Sequence, residues 1–228
     1  MLKFCFYIQI VLLLQISPAF TAERGANPQF RMSYGGGGGR QPFVELMQSI
    51  YEELGFNVSI ISAPPKRGIM LLNSDLVDAD VIRLKRTVVK YKNIMVVEPA
   101  LVKGYLVLIC HKDILCDLSI LKNKTVKINT HAGILNLFDI GELNAQTIIS
   151  EMTINTLHMI EKGRVFYSLN TMDEPMLRGL SPKLNYIKIK DVYGYHVINK
   201  KHAYLLPKIQ KKLRQRLPAF LNLRGQVR

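Results

Sequence analysis

Few residues in this chain have the types and spacing to do chemistry. Five consecutive glycines, Gly35 to Gly39, stand before Arg40-Gln41-Pro42. Unhindered N–H groups just ahead of a helix can cradle a carboxylate or phosphate, or the run can serve as flexible slack. A nucleotide phosphate loop is not implied, because Arg40 and Gln41 occupy the places of the lysine and hydroxyl residue that such a loop requires. Thr130 and His131 precede a short helix at Gly133, where exposed backbone N–H groups can receive an anion. Cys110 and Cys116 enclose the segment His111 to Leu115. They form either a disulfide or part of a metal site with His111, and the metal reading lacks a fourth ligand and the usual spacing. No Ser/His/Asp set, paired carboxylates or metal cluster stands out for acid–base or nucleophilic work. The sequence therefore points away from an enzyme and calls for no cofactor and no metal.

Compartment separates the two cysteine readings. Met1-Leu2-Lys3 opens an apolar run from Phe4 to Leu14, which leads into small residues up to Ala22. This is the layout of a secretory signal peptide, residues 1–22, cut after Ala19 or Ala22. The first site is favoured, since the second sets bulky Phe20 three residues back. The run is shorter than the ~20 residues of a membrane-spanning helix. A mature chain in the periplasm is expected, where the even pair Cys110 and Cys116 reads as a disulfide. The formal charge of +14 falls by one, to +13, when Lys3 leaves with the signal. Such a positive field steers anionic partners, although solvated lysines account for it equally. The charge is scattered and no zinc knuckle or aromatic-rich signature accompanies it, which argues against nucleic acid.

Alternating strands and helices position these groups. Phe30 to Tyr34 predicts a strand, with Tyr34 at its end beside the glycines, able to stack on a ligand. In the next helix Phe43, Met47, Ile50 and Leu54 recur at helical spacing, with Pro42 in the first turn and Gly55 at the stop. Asn57 to Ser62 is a strand, Pro64-Pro65 a break, and Lys66 to Asn73 a short helix that Arg67 opens, facing either a cleft or the sheet edge. Val77, Ala79 and Val81 alternate with Asp78, Asp80 and Ile82 in a strand ending at Arg83. Strands Ile94 to Val97 and Tyr105 to Cys110 are separated by Glu98-Pro99-Ala100, the second apolar enough to be buried on both faces. Further strands are expected at Lys124 to Asn129, Thr147 to Ile149, Val165 to Leu169 and Tyr186 to Ile189. Helices are expected at Ile134 to Phe138 and along Ile154, Leu157 and Ile160. A basic helix carrying Leu206, Ile209, Leu213 and Leu217 ends at Pro218. This alternation predicts an α/β fold with mainly parallel sheet and a ligand crevice at the strand ends.

Four segments, in their order, carry a likeness: Pro65-Lys66-Arg67-Gly68-Ile69-Met70-Leu71-Leu72-Asn73-Ser74 followed by Val77-Asp78-Ala79-Asp80; Leu121-Lys122-Asn123-Lys124-Thr125-Val126; Met159-Ile160-Glu161-Lys162-Gly163-Arg164-Val165; and Tyr195-His196-Val197-Ile198-Asn199-Lys200-Lys201-His202. With them the chain resembles the family 3 bacterial extracellular solute-binding proteins over nearly its whole mature length. The resemblance implies the type II periplasmic-binding-protein fold, two lobes closing on a ligand by a hinge. Lobe one would take residues 24–101 plus 194–228 and lobe two residues 102–193, with crossings near Pro99 to Gly104 and near Asp191 to Tyr195. Two places depart from the family pattern: the glycine run stands where aromatic or proline residues often follow the first strand, and Phe166 stands where an acid is frequent, an exchange expected to repack the core.

Amino-acid binders of this family hold the ligand carboxylate with a lobe-one arginine and its amino group with a lobe-two acid. Arg83 fits the first role, since a guanidinium makes two parallel hydrogen bonds to a carboxylate; a surface arginine paired with Asp80 is the plainer reading. Asp173 and Glu174 fit the second, or else are helix-start acids favoured by the dipole. The ligand-binding set is thus Tyr34, Arg67, Arg83, Thr130, His131 and Asp173. The resemblance implies a monomeric periplasmic receptor that hands a small polar or anionic, amino-acid-like solute to an inner-membrane ABC permease. The alternatives are the input module of a membrane sensor, a secreted dehydratase-like enzyme on the same fold, and an envelope protein holding an anionic polymer.

Overall fold

A computed structural model describes residues 27–35, 41–139, 141–150 and 153–226. The expected signal peptide, Gly36 to Gly39 and Arg40 lie outside the described residues. The strands are β1 (Gln29–Tyr34), β2 (Asn57–Ser62), β3 (Ala79–Leu84), β4 (Ile94–His111), β5 (Lys127–Thr130), β6 (Gln146–Ile149), β7 (Tyr167–Met172) and β8 (Leu184–Asn199). The helices are α1 (Gln41–Glu53), α2 (Pro65–Asn73), α3 (Lys85–Val88), α4 (Ala132–Leu135), α5 (Thr153–Glu161), α6 (Glu174–Arg178) and α7 (Leu206–Gln226).

The strands join in one sheet of order β2-β1-β3-β8-β4-β7-β5-β6. Parallel pairing occurs at its two ends, β1 with β2 and β3, and β5 with β6 and β7. The middle is antiparallel, where β8 pairs with β3 and β4, and β4 with β7. The expected parallel sheet is thus confined to the two ends.

The segments Ile94 to Val97 and Tyr105 to Cys110, expected as separate strands, are one long β4. Its ladder with β8 is irregular between Val97, opposite His196, and Val102, opposite Gly194, and then resumes. Pro99 falls inside that irregularity, where no N–H is asked of it. The short strand expected at Tyr186 to Ile189 is likewise the middle of β8. The strand expected from Lys124 begins instead at Lys127, because Asn123 caps a turn there, its Oδ1 accepting from the Thr125 amide at 2.9 Å.

Each end of the sheet has its own core. In the first, α1 buries Phe43, Met47, Ile50 and Tyr51 against Phe30 and Met32, and α7 adds Ile209, Leu213 and Leu217. Gly55, at φ +90°, terminates α1 in a conformation that disfavours other residues. In the second, Leu106, Leu108 and Cys110 pack on one face of β4 while Val107 and Ile109 pack on the other. All five are fully buried, which is the two-sided burial expected of this apolar run. The Cys110–Cys116 disulfide is formed at the far end of this second core. Phe166 is about half exposed at 50%, so it does not repack the core as expected.

Two buried polar sets brace the first core. His196 Nε2 lies 2.8 Å from the Tyr51 hydroxyl and Nδ1 lies 3.3 Å from the Val81 carbonyl. A carbonyl only accepts, so Nδ1 carries the proton and the tyrosine donates to Nε2. Burial pushes the His196 imidazole down to about 4 and the Tyr51 hydroxyl well above its ordinary value. Asp78 receives the Arg31 amide at 2.7 Å, His202 at 2.9 Å and Lys201 at 2.7 Å. Burial opposes the charge on Asp78, yet these donors together hold its carboxyl well below the usual range.

Pro218 does not end the last helix, which continues to Gln226. The proline costs one backbone hydrogen bond, but the turns beyond it are anchored. The Phe220 ring lies 5.1 Å from that of Phe43, and Arg224 sits 4.4 Å over the same ring while pairing with Asp173 at 3.0 Å. No helix among the described residues is long and apolar enough to cross a membrane.

Candidate functional site

Between the two cores, where β4 and β8 pass from one to the other, lies a cavity of about 540 Å³. Val102 and Gly104 of β4 and Val192 and Gly194 of β8 form part of its wall. Much of the rest comes from the carboxyl ends of β3, β6 and β7, from α2 and α4, and from the segment after α3, the crevice location expected of an α/β sheet.

Arg83 is in this wall, only 5% exposed. It is held by an ion pair to Asp80, itself fully buried, and Asp80 Oδ2 also accepts from the Ser33 hydroxyl at 2.7 Å. Arg83 Nε and Asp80 Oδ1 are both buried and find no hydrogen-bond partner among the described residues, so each keeps unused polar capacity. Gly68 makes the arrangement possible. A Cβ on it would lie 2.5 Å from Arg83 Nη2 and 2.9 Å from Asp80 Oδ2, closer than side chains tolerate.

The remaining candidates divide. His131 and Asp173 join Arg83 in the wall. Asp173 is largely committed: one oxygen caps α6 by accepting from the Met176 amide at 3.1 Å and the other pairs with Arg224. Glu174 pairs with Lys188 instead. Tyr34 packs on the first core, Thr130 is buried with its hydroxyl donating to the Leu169 carbonyl at 3.1 Å, and Arg67 is exposed on α2; none of these three lines the cavity.

Lys66, Lys90 and Tyr91 line it although the sequence reading assigned them no role. Lys66 and Ile69 are three residues apart, hence on one helix face, which turns the intervening Arg67 away. That spacing was a usable signal for Lys66. Lys90 and Tyr91 follow the short α3 and carry no comparable mark.

Two clasps bridge the cavity's rims. Arg86 of α3 pairs with Asp139 and reaches the Leu137 carbonyl at 3.5 Å. On the other side the Arg224–Asp173 pair is joined by Arg178, whose Nη2 donates to the Gly225 carbonyl at 3.4 Å. Among the described residues no cluster of His, Cys, Asp and Glu converges to hold a metal.

No protein-family model and no curated protein sequence matches the chain. Solved structures do. A mutant of ArgBP from T. maritima superposes with a TM-score of 0.72 at 12% identity, over 87% of this chain and 96% of that one. An amino acid ABC transporter substrate-binding protein, AbpA from Streptococcus pneumoniae, bound to L-arginine, gives 0.67 at 14% identity, over 86% and 94%. An ancestral amino acid-binding protein, AncCDT-1, a precursor of cyclohexadienyl dehydratase, gives 0.67 at 14% identity, over 82% and 89%. At such identities the likeness establishes the fold: the chain has the two-lobed architecture of periplasmic binding proteins.

Proposed function

We propose that this protein is a periplasmic receptor that captures a small polar or anionic solute between its lobes and presents it to an ABC permease. The observation that carries the reading is a buried arginine in the wall of a cavity at the junction of two separately cored lobes. Its size falls within the range typical of small-molecule sites, roughly 300–1,000 Å³. Lobe one comprises residues 24–101 plus 194–228 and lobe two residues 102–193, the chain passing between them in β4 and β8. The receptor works as a monomer after removal of its signal peptide. Delivery to a membrane sensor is a variant of the same capture step, and a permease gene beside this one would favour uptake.

The test is thermal melting of the mature protein against amino acids, organic acids, sugars and polyamines. A solute that binds only the native state raises the midpoint, by about 2.7 kcal/mol of added stability at a hundredfold excess over Kd. The shift should vanish in a variant altered at Arg83. Because Arg83→Ala strands the buried Asp80, the paired change Asp80→Asn with Arg83→Gln is the cleaner control. A panel without any specific shift would contradict the reading.

A further inference from the structure

We infer that the solute is a carboxylate with an apolar body and no ammonium group. The inference rests on the receptor reading above and narrows its ligand.

Charge is the first argument. The cavity wall presents Lys66, Arg83 and Lys90, with His131 across from them, and a single carboxylate among the described lining residues, Asp173. Behind the wall Asp80 offsets Arg83 and Arg224 offsets Asp173. Among the described residues Lys66 and Lys90 then have no carboxylate partner, and both are exposed at the cavity. A positively charged solute meets like charges here, whereas an anion finds them complementary.

The second argument is the state of Asp173. An amino acid brings an ammonium group that must keep hydrogen-bond acceptors and a counter-charge once it leaves water. Asp173 already serves the Met176 amide and the Arg224 guanidinium, one on each oxygen, so much of its counter-charge is spent before any ammonium arrives.

Third, much of the surface available to the rest of the solute is apolar. Ile69, Ile82, Val102, Met172, Met176 and Val192 come from both lobes to line the same space. These side chains reward an alkyl or aryl body in proportion to the area it buries, and about 540 Å³ leaves room for one. Two methionines suit it to irregular apolar shapes.

The experiment compares matched pairs by calorimetric titration of the full mature chain: 3-phenylpropanoate with phenylalanine, and 4-methylpentanoate with leucine, with arginine as the cationic control. The expected result is that each acid binds about tenfold or more tightly than its amino counterpart, that arginine does not bind, and that the exposed-site variant Lys66→Gln weakens the acids. Amino acids that bind as tightly as the acids overturn the inference and leave the receptor reading intact. Glu151, which follows the lining residue Ser150 in the sequence, is then the first residue to exchange. Binding of none of the five also overturns it, and the wider melting panel decides separately whether the cavity receives any solute.

Discussion

Arg83 is a strand-end arginine, and its setting gives it a fixed orientation. Asp80, itself held by the Ser33 hydroxyl, grips one side of the guanidinium, and the bare Cα of Gly68 leaves room for it. Gly68→Ala should therefore push Arg83 out of position. It should lower stability by about 1–3 kcal/mol, as overpacking does, and weaken solute binding; urea denaturation and calorimetric titration read the two effects separately. Asp80→Ala should cost more, about 3–5 kcal/mol, since it leaves a buried cation unpaired. The place of Arg83 at a strand end was legible from alternation in Val77 to Ile82. The dependence on Gly68 was not, because it arises from contact between α2 and β3.

His196 supplies a residue-scale prediction for pH. Its folded value near 4 lies below the roughly 6.5 of an unfolded histidine, so the unfolded chain binds the extra proton between these limits. Stability is then complete above about pH 6.5 and falls toward pH 4, by on the order of 3 kcal/mol from this group. Urea midpoints measured across that window should rise with pH. His196→Gln keeps a hydrogen-bonding side chain without the titration and should flatten the slope; an unchanged slope would show that other groups set it.

Among the elements, α7 departs most from its sequence signals. A proline at position 218 in a helix reads as a stop, and the pattern of Leu206, Ile209, Leu213 and Leu217 ends just before it. The continuation to Gln226 depends on Phe43 and Asp173, which are distant in sequence and so carry no local signature. The same continuation explains why Asp173 could be read as available to a solute's amino group: its partner Arg224 lies beyond the apparent end of the helix. Arg224→Ala should loosen the final turns of α7 and cost about 1–3 kcal/mol, the range for a lost partner of a largely buried polar group. Amide exchange should accelerate after residue 218, and exchange unaltered there would contradict the anchoring role. The long strands β4 and β8 were legible only as fragments, since the irregular ladder around Pro99 interrupts the pattern though not the strand.

At the scale of the whole molecule, the alternating order of strands and helices was enough to indicate an α/β fold with a crevice at strand ends. Assembly of the crevice wall was only partly legible, because Lys66, Lys90 and Tyr91 reach it through the packing of α2 and the segment after α3. The clasps formed by Arg86 with Asp139 and by Arg224 with Asp173 hold the two rims together. Removing the exposed clasp with Asp139→Asn should leave stability within about 0.5 kcal/mol, as for other surface pairs. In solution scattering without solute it should shift the lobes toward a more open average, and unchanged scattering would assign the pair no part in closure.

Hydrogen–deuterium exchange with and without the solute that raises the melting midpoint tests the central claim most directly. Protection should concentrate in peptides covering residues 64–69, 82–91, 102–104, 131–136 and 171–176, which come from both lobes and all line the cavity. Protection confined to one lobe, or spread over a surface away from these segments, would contradict capture of a solute in the cleft.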